Sequence, residues 1–171
     1  MSDLEKFIRS VPDFPVPGIL YRDITPLLAD ARALRLAVES MSEPWRGRDV
    51  DLVASMEARG FIFGAGIAMD LGAGFVPVRK SGKLPWKTRE VKYTLEYGSD
   101  VLHMHEDAVS AGQRVLVVDD LIATGGTASA VMDLVQQLGG EVVGAQFLIE
   151  LSDLKGKELL RGHDVRSVII Y

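Results

Sequence analysis

The sequence contains no cysteine among its 171 residues. This absence excludes disulfides, thiolate nucleophiles, cysteine-based zinc sites and iron–sulfur clusters. No apolar run approaches the roughly 18 residues that a membrane-spanning helix needs, and the first residues lack the basic start and apolar stretch of a signal peptide. We therefore expect a cytoplasmic protein with no membrane partner.

An excess of positive charge is also missing. Nineteen Lys and Arg stand against 24 Asp and Glu, a net charge of −5, which argues against general binding to nucleic acid because phosphate backbones require an excess of cations. One stretch differs, since residues 79–92 contain six basic residues and a single acidic one. This basic stretch predicts contact with a small anionic ligand.

The pattern of apolar residues predicts one α/β domain over residues 1–171. Short apolar strands alternate with segments of helical spacing, and this alternation is typical of a mostly parallel sheet flanked by helices. The predicted strands are Asp51 to Met56, Gly74 to Val78, Arg114 to Val118 and Glu141 to Leu151. The predicted helices are Ala31 to Met41 with Asp30 as its cap, Phe61 to Leu71, and Thr127 to Leu138.

Two other segments depart from that alternation. Ser2 and Glu5 form a capping-box pattern that predicts a short helix through about Ser10. Further on, Val91 to Tyr97 and Val101 to Glu106 are expected to form an antiparallel hairpin joined by Gly98-Ser99-Asp100. This hairpin is expected to be mobile and to make an excursion over the sheet.

The clearest chemical pattern follows the strand that ends at Val118. Two carboxylates come first, and a glycine-rich loop then leads into a helix. Backbone amides at a helix N-terminus favour an anion, and glycines allow a phosphate to approach the backbone. Adjacent carboxylates suit the neutral hydroxyls of a ribose. The segment therefore predicts a grip for a ribose 5-phosphate, made by Asp119, Asp120, Ala123, Thr124, Gly125, Gly126 and Thr127.

The segment Val115 to Thr127 resembles the phosphoribosyl pyrophosphate (PRPP) motif of type I phosphoribosyltransferases. Three further stretches, Asp13 to Thr25, Glu57 to Phe61 and Phe75 to Pro85, are similar to successive signature segments of the adenine phosphoribosyltransferases within that family, as is Leu95-Glu96-Tyr97-Gly98. The resemblance runs in order from about Asp13 to Leu151. Motifs of other nucleotide-binding families, such as the P-loop, are missing.

This resemblance implies a purine-salvage enzyme that transfers the phosphoribosyl group of PRPP to adenine, giving AMP and pyrophosphate. It implies magnesium carried by PRPP near Asp119 and Asp120, with no metal held directly by the protein, and a homodimer. It also implies the type I phosphoribosyltransferase fold, with an N-terminal hood segment.

The resemblance also assigns roles to residues. Arg59 is expected to bind pyrophosphate and to be catalytic, and Arg79, Lys80 and Lys83 are expected to bind the same diphosphate. Arginine can grip phosphate oxygens in a bidentate manner, whereas lysine supplies a point charge.

Two further segments receive roles in the same way. Leu20, Tyr21 and Arg22 are similar to the adenine-contacting segment, where backbone groups read the amino edge of the base. Glu96 and Tyr97 lie in the hairpin that closes over the substrates, and Glu96 is expected to handle the proton on the base.

Two alternatives stay open at this point, namely a transferase for hypoxanthine, guanine or xanthine, and a non-catalytic regulator that senses PRPP. Two other patterns are interpreted as structural. His103 and His105 alternate along a strand with no further metal ligands in the pattern, so we expect exposed strand residues. Met56, Met69 and Met132 are expected to fill the core.

Overall fold

The computed structural model describes residues 3–95 and 98–171. Its strands are β1 (Arg9–Pro12), β2 (Leu20–Asp23), β3 (Leu52–Met56), β4 (Gly74–Lys80), β5 (Thr88–Leu95), β6 (Gly98–His105), β7 (Arg114–Ile122), β8 (Glu141–Glu150) and β9 (Val165–Ile170). The helices are α1 (Thr25–Ala29), α2 (Ala31–Ser42), α3 (Arg59–Leu71), α4 (Gly126–Gln137) and α5 (Gly156–Leu159), with 3₁₀ turns at Glu5–Phe7, Glu43–Trp45 and Ser152–Leu154.

The main sheet has the strand order β5-β6-β4-β3-β7-β8-β9 within the described residues. Strands β4, β3, β7, β8 and β9 run parallel, whereas β6 is antiparallel to both β4 and β5. The predicted α/β class with a mostly parallel sheet is therefore confirmed. Strand β9 was not predicted, and β4 and β7 continue beyond their predicted ends at Val78 and Val118.

Apolar cores lie on both faces of the sheet. One face packs on α4, and the other packs on α1, α2 and α3. Residues Val115–Val118 of β7 are fully buried, as expected for a central parallel strand covered on both sides. Met56 and Met132 lie in the core as predicted, but Met69 is 85% exposed on α3, so that prediction was wrong.

Local signals explain where several helices begin and end. The Asp30 carboxylate accepts hydrogen bonds from the backbone N–H groups of Arg32 and Ala33, both at 2.9 Å, which confirms the predicted cap of α2. Helix α3 ends at Leu71, and the next residue, Gly72, has a left-handed backbone (φ 68°) that favours glycine. None of the helices in the described parts of the chain has the length and apolarity to span a membrane.

The N-terminal segment differs from the prediction. Residues expected to continue a helix through Ser10 make only the turn Glu5–Phe7, and Arg9–Pro12 then pairs with β2 as a two-stranded antiparallel sheet. Pairing with β2, which begins eight residues beyond the end of β1, outweighs the weak helical preference of so short a segment. Ser2, the proposed cap, lies outside the described residues.

The predicted hairpin is present but differs in place and register. Strand β6 pairs with β4 through Arg79 and Lys80, so the hairpin widens the sheet at its edge rather than passing over it. The Gly98–Asp100 segment belongs to β6 instead of the connection, because the β5–β6 ladder extends to the pair Leu95 and Gly98. Extending the ladder satisfies more backbone hydrogen-bonding groups.

Candidate functional site

The carboxyl ends of β3, β4 and β7 meet at one edge of the parallel sheet, where α/β proteins bind ligands. A cleft of about 420 Å³ opens there, at the end of β7. Its lining consists of Met56, Asp119, Leu121, Ile122, Ala123, Thr124, Gly125, Gly126, Thr127, Ala128, Phe147 and Leu154. The predicted phosphate loop, residues 123–127, thus forms one wall of the cleft together with Asp119.

Close packing fixes the backbone of this loop. Gly125 has φ +85°, and a Cβ at this position would lie 2.4 Å from the carbonyl oxygen of Gly156. A Cβ on Gly156 would in turn lie 2.2 Å from the carbonyl oxygen of Ala123. Contacts under 3.0 Å leave no room for a side chain, so Gly156 supports the loop from behind. Gly156 was not among the predicted site residues, because no local motif surrounds it.

The two carboxylates, Asp119 and Asp120, lie near the carboxyl end of β7, beside the loop. Asp120 is only 5% exposed, and its backbone N–H donates to Oδ1 of Asp119 at 2.9 Å. Burial, and then the neighbouring Asp120 charge, raises the pKa of Asp119 well above its ordinary value. Burial also raises the pKa of Asp120, although the Arg59 guanidinium opposes this shift. Folding therefore carries an electrostatic cost when Asp119 and Asp120 are ionised.

Helix α3 approaches Asp119 through a glycine. A Cβ on Gly60 would lie 2.5 Å from Oδ1 of Asp119 and 2.8 Å from Oγ of Ser55. Ser55, in turn, donates from Oγ to the backbone oxygen of Val118 at 2.8 Å and so ties β3 to β7. Only glycine at position 60 allows the start of α3 to pack on the carboxylate.

Arg59 links two parts of the predicted site. It follows a turn that contains a cis peptide bond between Glu57 and Ala58. Its Nε lies 2.8 Å from Oδ2 of Asp120, and its Nη1 donates to the hydroxyl of Tyr21. One guanidinium therefore joins β2, which carries the predicted base-binding segment, to the carboxylates of β7.

The predicted base-binding segment, residues 20–22, lies in β2, and its side chains have different partners. Tyr21 packs edge to face with Phe14, with ring centroids 5.1 Å apart, and Leu20 is 48% exposed. Arg22 instead lies against the ring of Tyr171, with its guanidinium carbon 3.6 Å from the ring centroid, and donates to Ser10. Tyr21 therefore contacts Arg59 at the site, whereas the Arg22 side chain contacts Tyr171 and Ser10 instead.

The basic residues at the end of β4 are organised by Glu57. Arg79 donates from Nη2 to Glu57 Oε2 at 3.1 Å, and the Lys80 backbone N–H donates to Oε1 at 2.6 Å. Burial disfavours the charge on Glu57, yet the hydrogen bonds from Lys80 and Arg79 hold the pKa of this carboxyl below its ordinary value. No role was predicted for Glu57, which lies 22 residues from Arg79 along the chain.

The remaining predicted site residues are the Lys80 side chain, Lys83, Glu96 and Tyr97. The Lys80 ammonium lies 2.8 Å from Oδ2 of Asp100 on β6. Lys83 is exposed, and its backbone oxygen accepts a hydrogen bond from Arg79 at 3.1 Å. Glu96 and Tyr97 lie outside the described residues.

The two strand histidines are less exposed than predicted. His103 and His105 are both partly buried, and Nδ1 of His103 lies 3.1 Å from the hydroxyl of Thr88. Their burial follows from the position of β6 inside the sheet, between β4 and β5. Within residues 3–95 and 98–171, no group of three or more potential metal ligands includes them.

Comparisons with known proteins identify the family of this chain. A family model described as a phosphoribosyl transferase domain matches residues 25–170. The adenine phosphoribosyltransferase of Thermotoga neapolitana is 56% identical over 169 residues, 99% of each chain, and that of Methylococcus capsulatus is 56% identical over 171 residues, 100% of each chain.

Solved structures give the same result. The adenine phosphoribosyltransferase of Thermoanaerobacter pseudethanolicus superposes with a TM-score of 0.96 at 51% identity, covering 99% of this chain and 98% of that one. The Saccharomyces cerevisiae enzyme, solved with adenine and an iminoaltritol bisphosphate, gives a TM-score of 0.91 at 37% identity, covering 97% of this chain and 96% of that one.

Proposed function

Because this chain belongs to the adenine phosphoribosyltransferase family, we propose that its cleft binds PRPP and adenine and joins them to give AMP and pyrophosphate in purine salvage. The observation that carries the assignment is the convergence of the phosphate loop, the paired aspartates and Arg59 at one edge of the sheet. The names of the relatives do not favour another purine or a regulator without activity.

The phosphate loop and the aspartates hold the phosphoribosyl group. Residues 123–127 provide backbone N–H groups at the start of α4, together with the hydroxyls of Thr124 and Thr127, for the 5-phosphate. Asp119 and Asp120 accept hydrogen bonds from the ribose hydroxyls. These contacts fix C1 of the ribose with respect to the base.

The diphosphate leaving group is held by four cations. Arg59 begins α3 just after β3, Arg79 and Lys80 are the last two residues of β4, and Lys83 lies three residues beyond Lys80. As the bond between C1 and the diphosphate oxygen breaks, negative charge increases on the diphosphate, and these cations stabilise it. Arg59 is the catalytic member of the group because it lies directly beside the ribose-binding carboxylate Asp120.

Adenine is held by the segment Leu20, Tyr21 and Arg22. Backbone groups of the segment read the amino edge of the base, and the exposed Leu20 side chain packs on the ring.

N9 of adenine forms the new bond to C1, and its proton is accepted by Glu96, the role that the resemblance assigns. Holding both reactants in line replaces a bimolecular encounter with a positioned one. Tyr97 and its hairpin exclude water during the reaction.

The acidic residues of the site fit a magnesium ion that enters with PRPP. Asp119 and Asp120 offer two carboxylates beside the phosphate loop. Mg²⁺ in such sites keeps several waters and binds through one or two carboxylates and the substrate phosphates. When bound, it adds positive charge to the departing diphosphate.

The protein is further proposed to be a single-domain cytoplasmic homodimer. The family match over residues 25–170 supports one domain, and the lack of cysteine supports the location. Ile62 and Met69 lie two turns apart on α3 and are 41% and 85% exposed, which supports a second copy on this apolar face. Sedimentation velocity of the wild type and of Met69→Glu tests the dimer.

The experiment that tests the reaction is a coupled assay for pyrophosphate release from PRPP. Adenine and Mg²⁺ together are expected to give turnover, whereas omission of either one abolishes it. Hypoxanthine and guanine serve as matched substrates with a carbonyl where adenine has its amino group. Turnover with one of these bases but not with adenine would overturn the base assignment.

A further inference from the structure

Three of the four cations proposed to hold the diphosphate are already paired with carboxylates of the chain itself. The pairs are Arg59 with Asp120 at 2.8 Å, Arg79 with Glu57 at 3.1 Å, and Lys80 with Asp100 at 2.8 Å. An incoming diphosphate therefore does not meet these three cations as free charges. Internal anions must be displaced or must share their cations with it.

The three pairs differ in burial. Asp120 and Glu57 have side chains that are 7% and 13% exposed, and Glu57 also accepts a hydrogen bond from the Lys80 backbone N–H. The pair of Lys80 and Asp100 is more open, with exposures of 57% and 25%. Ion pairs in contact with solvent are held weakly, so this pair is the one that a diphosphate exchanges most readily.

The geometry of Asp100 favours such an exchange. Its Oδ1 accepts a hydrogen bond from the Val101 backbone N–H at 2.9 Å, which keeps the carboxylate in place when Lys80 leaves. The hydrogen bond with Asp100 raises the pKa of Lys80, and the same contact lowers the pKa of Asp100, so both groups carry their charges at neutral pH.

We propose that Asp100 is a competing counter-ion for Lys80, which the diphosphate displaces and which limits how tightly diphosphate is retained. The proposal rests on the function proposed above. After exchange, the Asp100 carboxylate lies near a multiply charged anion without its own cation, and the repulsion favours departure of pyrophosphate. Asp100 is thus a positioning residue that acts through Lys80.

The sign of the effect distinguishes this role from a structural one. In Asp100→Asn, the amide oxygen can still accept from Val101, while Lys80 is freed. Pyrophosphate and PRPP should bind about two- to fivefold more tightly by calorimetry, the range expected for loss of one solvent-exposed ion pair. Pyrophosphate should inhibit this variant at correspondingly lower concentration, and the KM for adenine should not change. Weaker or unchanged binding of pyrophosphate would overturn the proposal.

Two further variants complete the test. Glu106→Gln removes the same charge from an exposed residue just beyond β6, and it should leave pyrophosphate affinity unchanged. In a Lys80→Met background, Asp100→Asn should lose most of its effect, because the gain depends on the freed ammonium. An equal gain in both backgrounds would mean that Asp100 acts on the diphosphate without Lys80.

The wild-type measurements separate this proposal from the proposed function. If the wild type neither binds pyrophosphate nor releases it from PRPP with adenine, the proposed function fails and the role of Asp100 fails with it. If the wild type does both but Asp100→Asn shows no gain in affinity, only the role of Asp100 is overturned.

Discussion

Charged residues gather at both ends of the parallel strands, but the two ends use them differently. At the amino ends, Asp164 lies 2.7 Å from Arg48 and 2.9 Å from Arg166. Nearby, Arg114 pairs with Glu141 at 3.1 Å, and its backbone N–H donates to Asp51 at 2.7 Å. Each of these carboxylates therefore has a partner.

At the carboxyl ends, two carboxylates are adjacent, and the Arg59 guanidinium contacts Asp120 at 2.8 Å. Hydrogen bonds from Arg166 and then Arg48 outweigh burial and lower the pKa of Asp164, whereas burial and a like charge raise the pKa of Asp119. The same residue type thus stabilises the fold at one end and opposes it at the other. Proteins accept such unfavourable charges where a ligand will use them.

The largest expected effect comes from Asp119→Asn. The variant keeps an oxygen for the Asp120 N–H but removes the negative charge, so PRPP affinity should fall about 10- to 100-fold, as for loss of one charge-assisted hydrogen bond. The melting temperature should rise, because a buried charge of high pKa is removed. Calorimetry and thermal unfolding measure the two effects. Unchanged affinity would contradict the assignment of Asp119 to the ribose.

A smaller effect is expected from Gly125→Ala. The added methyl group meets the Gly156 carbonyl, so the phosphate loop must shift and kcat/KM for PRPP should fall on the order of tenfold. Gly162→Ala is the matched control, since its φ of +96° imposes similar backbone strain with no atom within 4 Å of the added Cβ. That variant should lose stability and keep its kcat/KM.

At the opposite end of the sheet, Asp164→Asn should lower stability without altering substrate binding. It removes the carboxylate that Arg48 and Arg166 share. We expect a melting temperature lower by about 2 °C, because exposed ion pairs contribute little in a domain of this size. A loss of PRPP affinity in this variant would show that the two ends are not independent.

The smallest effects concern pH and should have opposite signs. Because the pKa of Asp119 is raised in the folded state, stability that is present below the ordinary aspartate pKa is lost as pH rises through the folded-state pKa. The stability advantage of Asp119→Asn over the wild type should therefore grow with pH. The lowered pKa of Asp164 contributes stability above the ordinary value that is lost as pH falls through the folded value. The cost of Asp164→Asn should therefore shrink in acid.

Urea unfolding of both variants and the wild type between about pH 4 and pH 8 measures these trends, without PRPP or divalent cations. If the stability of the two variants, relative to the wild type, changed with pH in the same direction, the proposed difference between the two ends of the sheet would be contradicted.

Local patterns predicted most of the elements. The Asp30 cap and the apolar runs of β3, β7 and β8 carry their own signals, so these elements appear close to their predicted positions. The N-terminal strand was missed because its partner β2 is what makes it a strand. The exposed Met69 was misplaced because composition does not show which face of α3 is covered.

The sequence by itself determined where the proposed phosphate loop and the adjacent aspartates lie, because these groups are consecutive and the strand–loop–helix geometry places them together. Only the tertiary structure decided which charges meet, since the partners lie far apart in the chain: Arg59 with Tyr21 and Asp120, and Lys80 with Asp100. Gly156 was likewise revealed by packing alone. Contacts of this kind depend on how strands are ordered in the sheet, which no local pattern encodes.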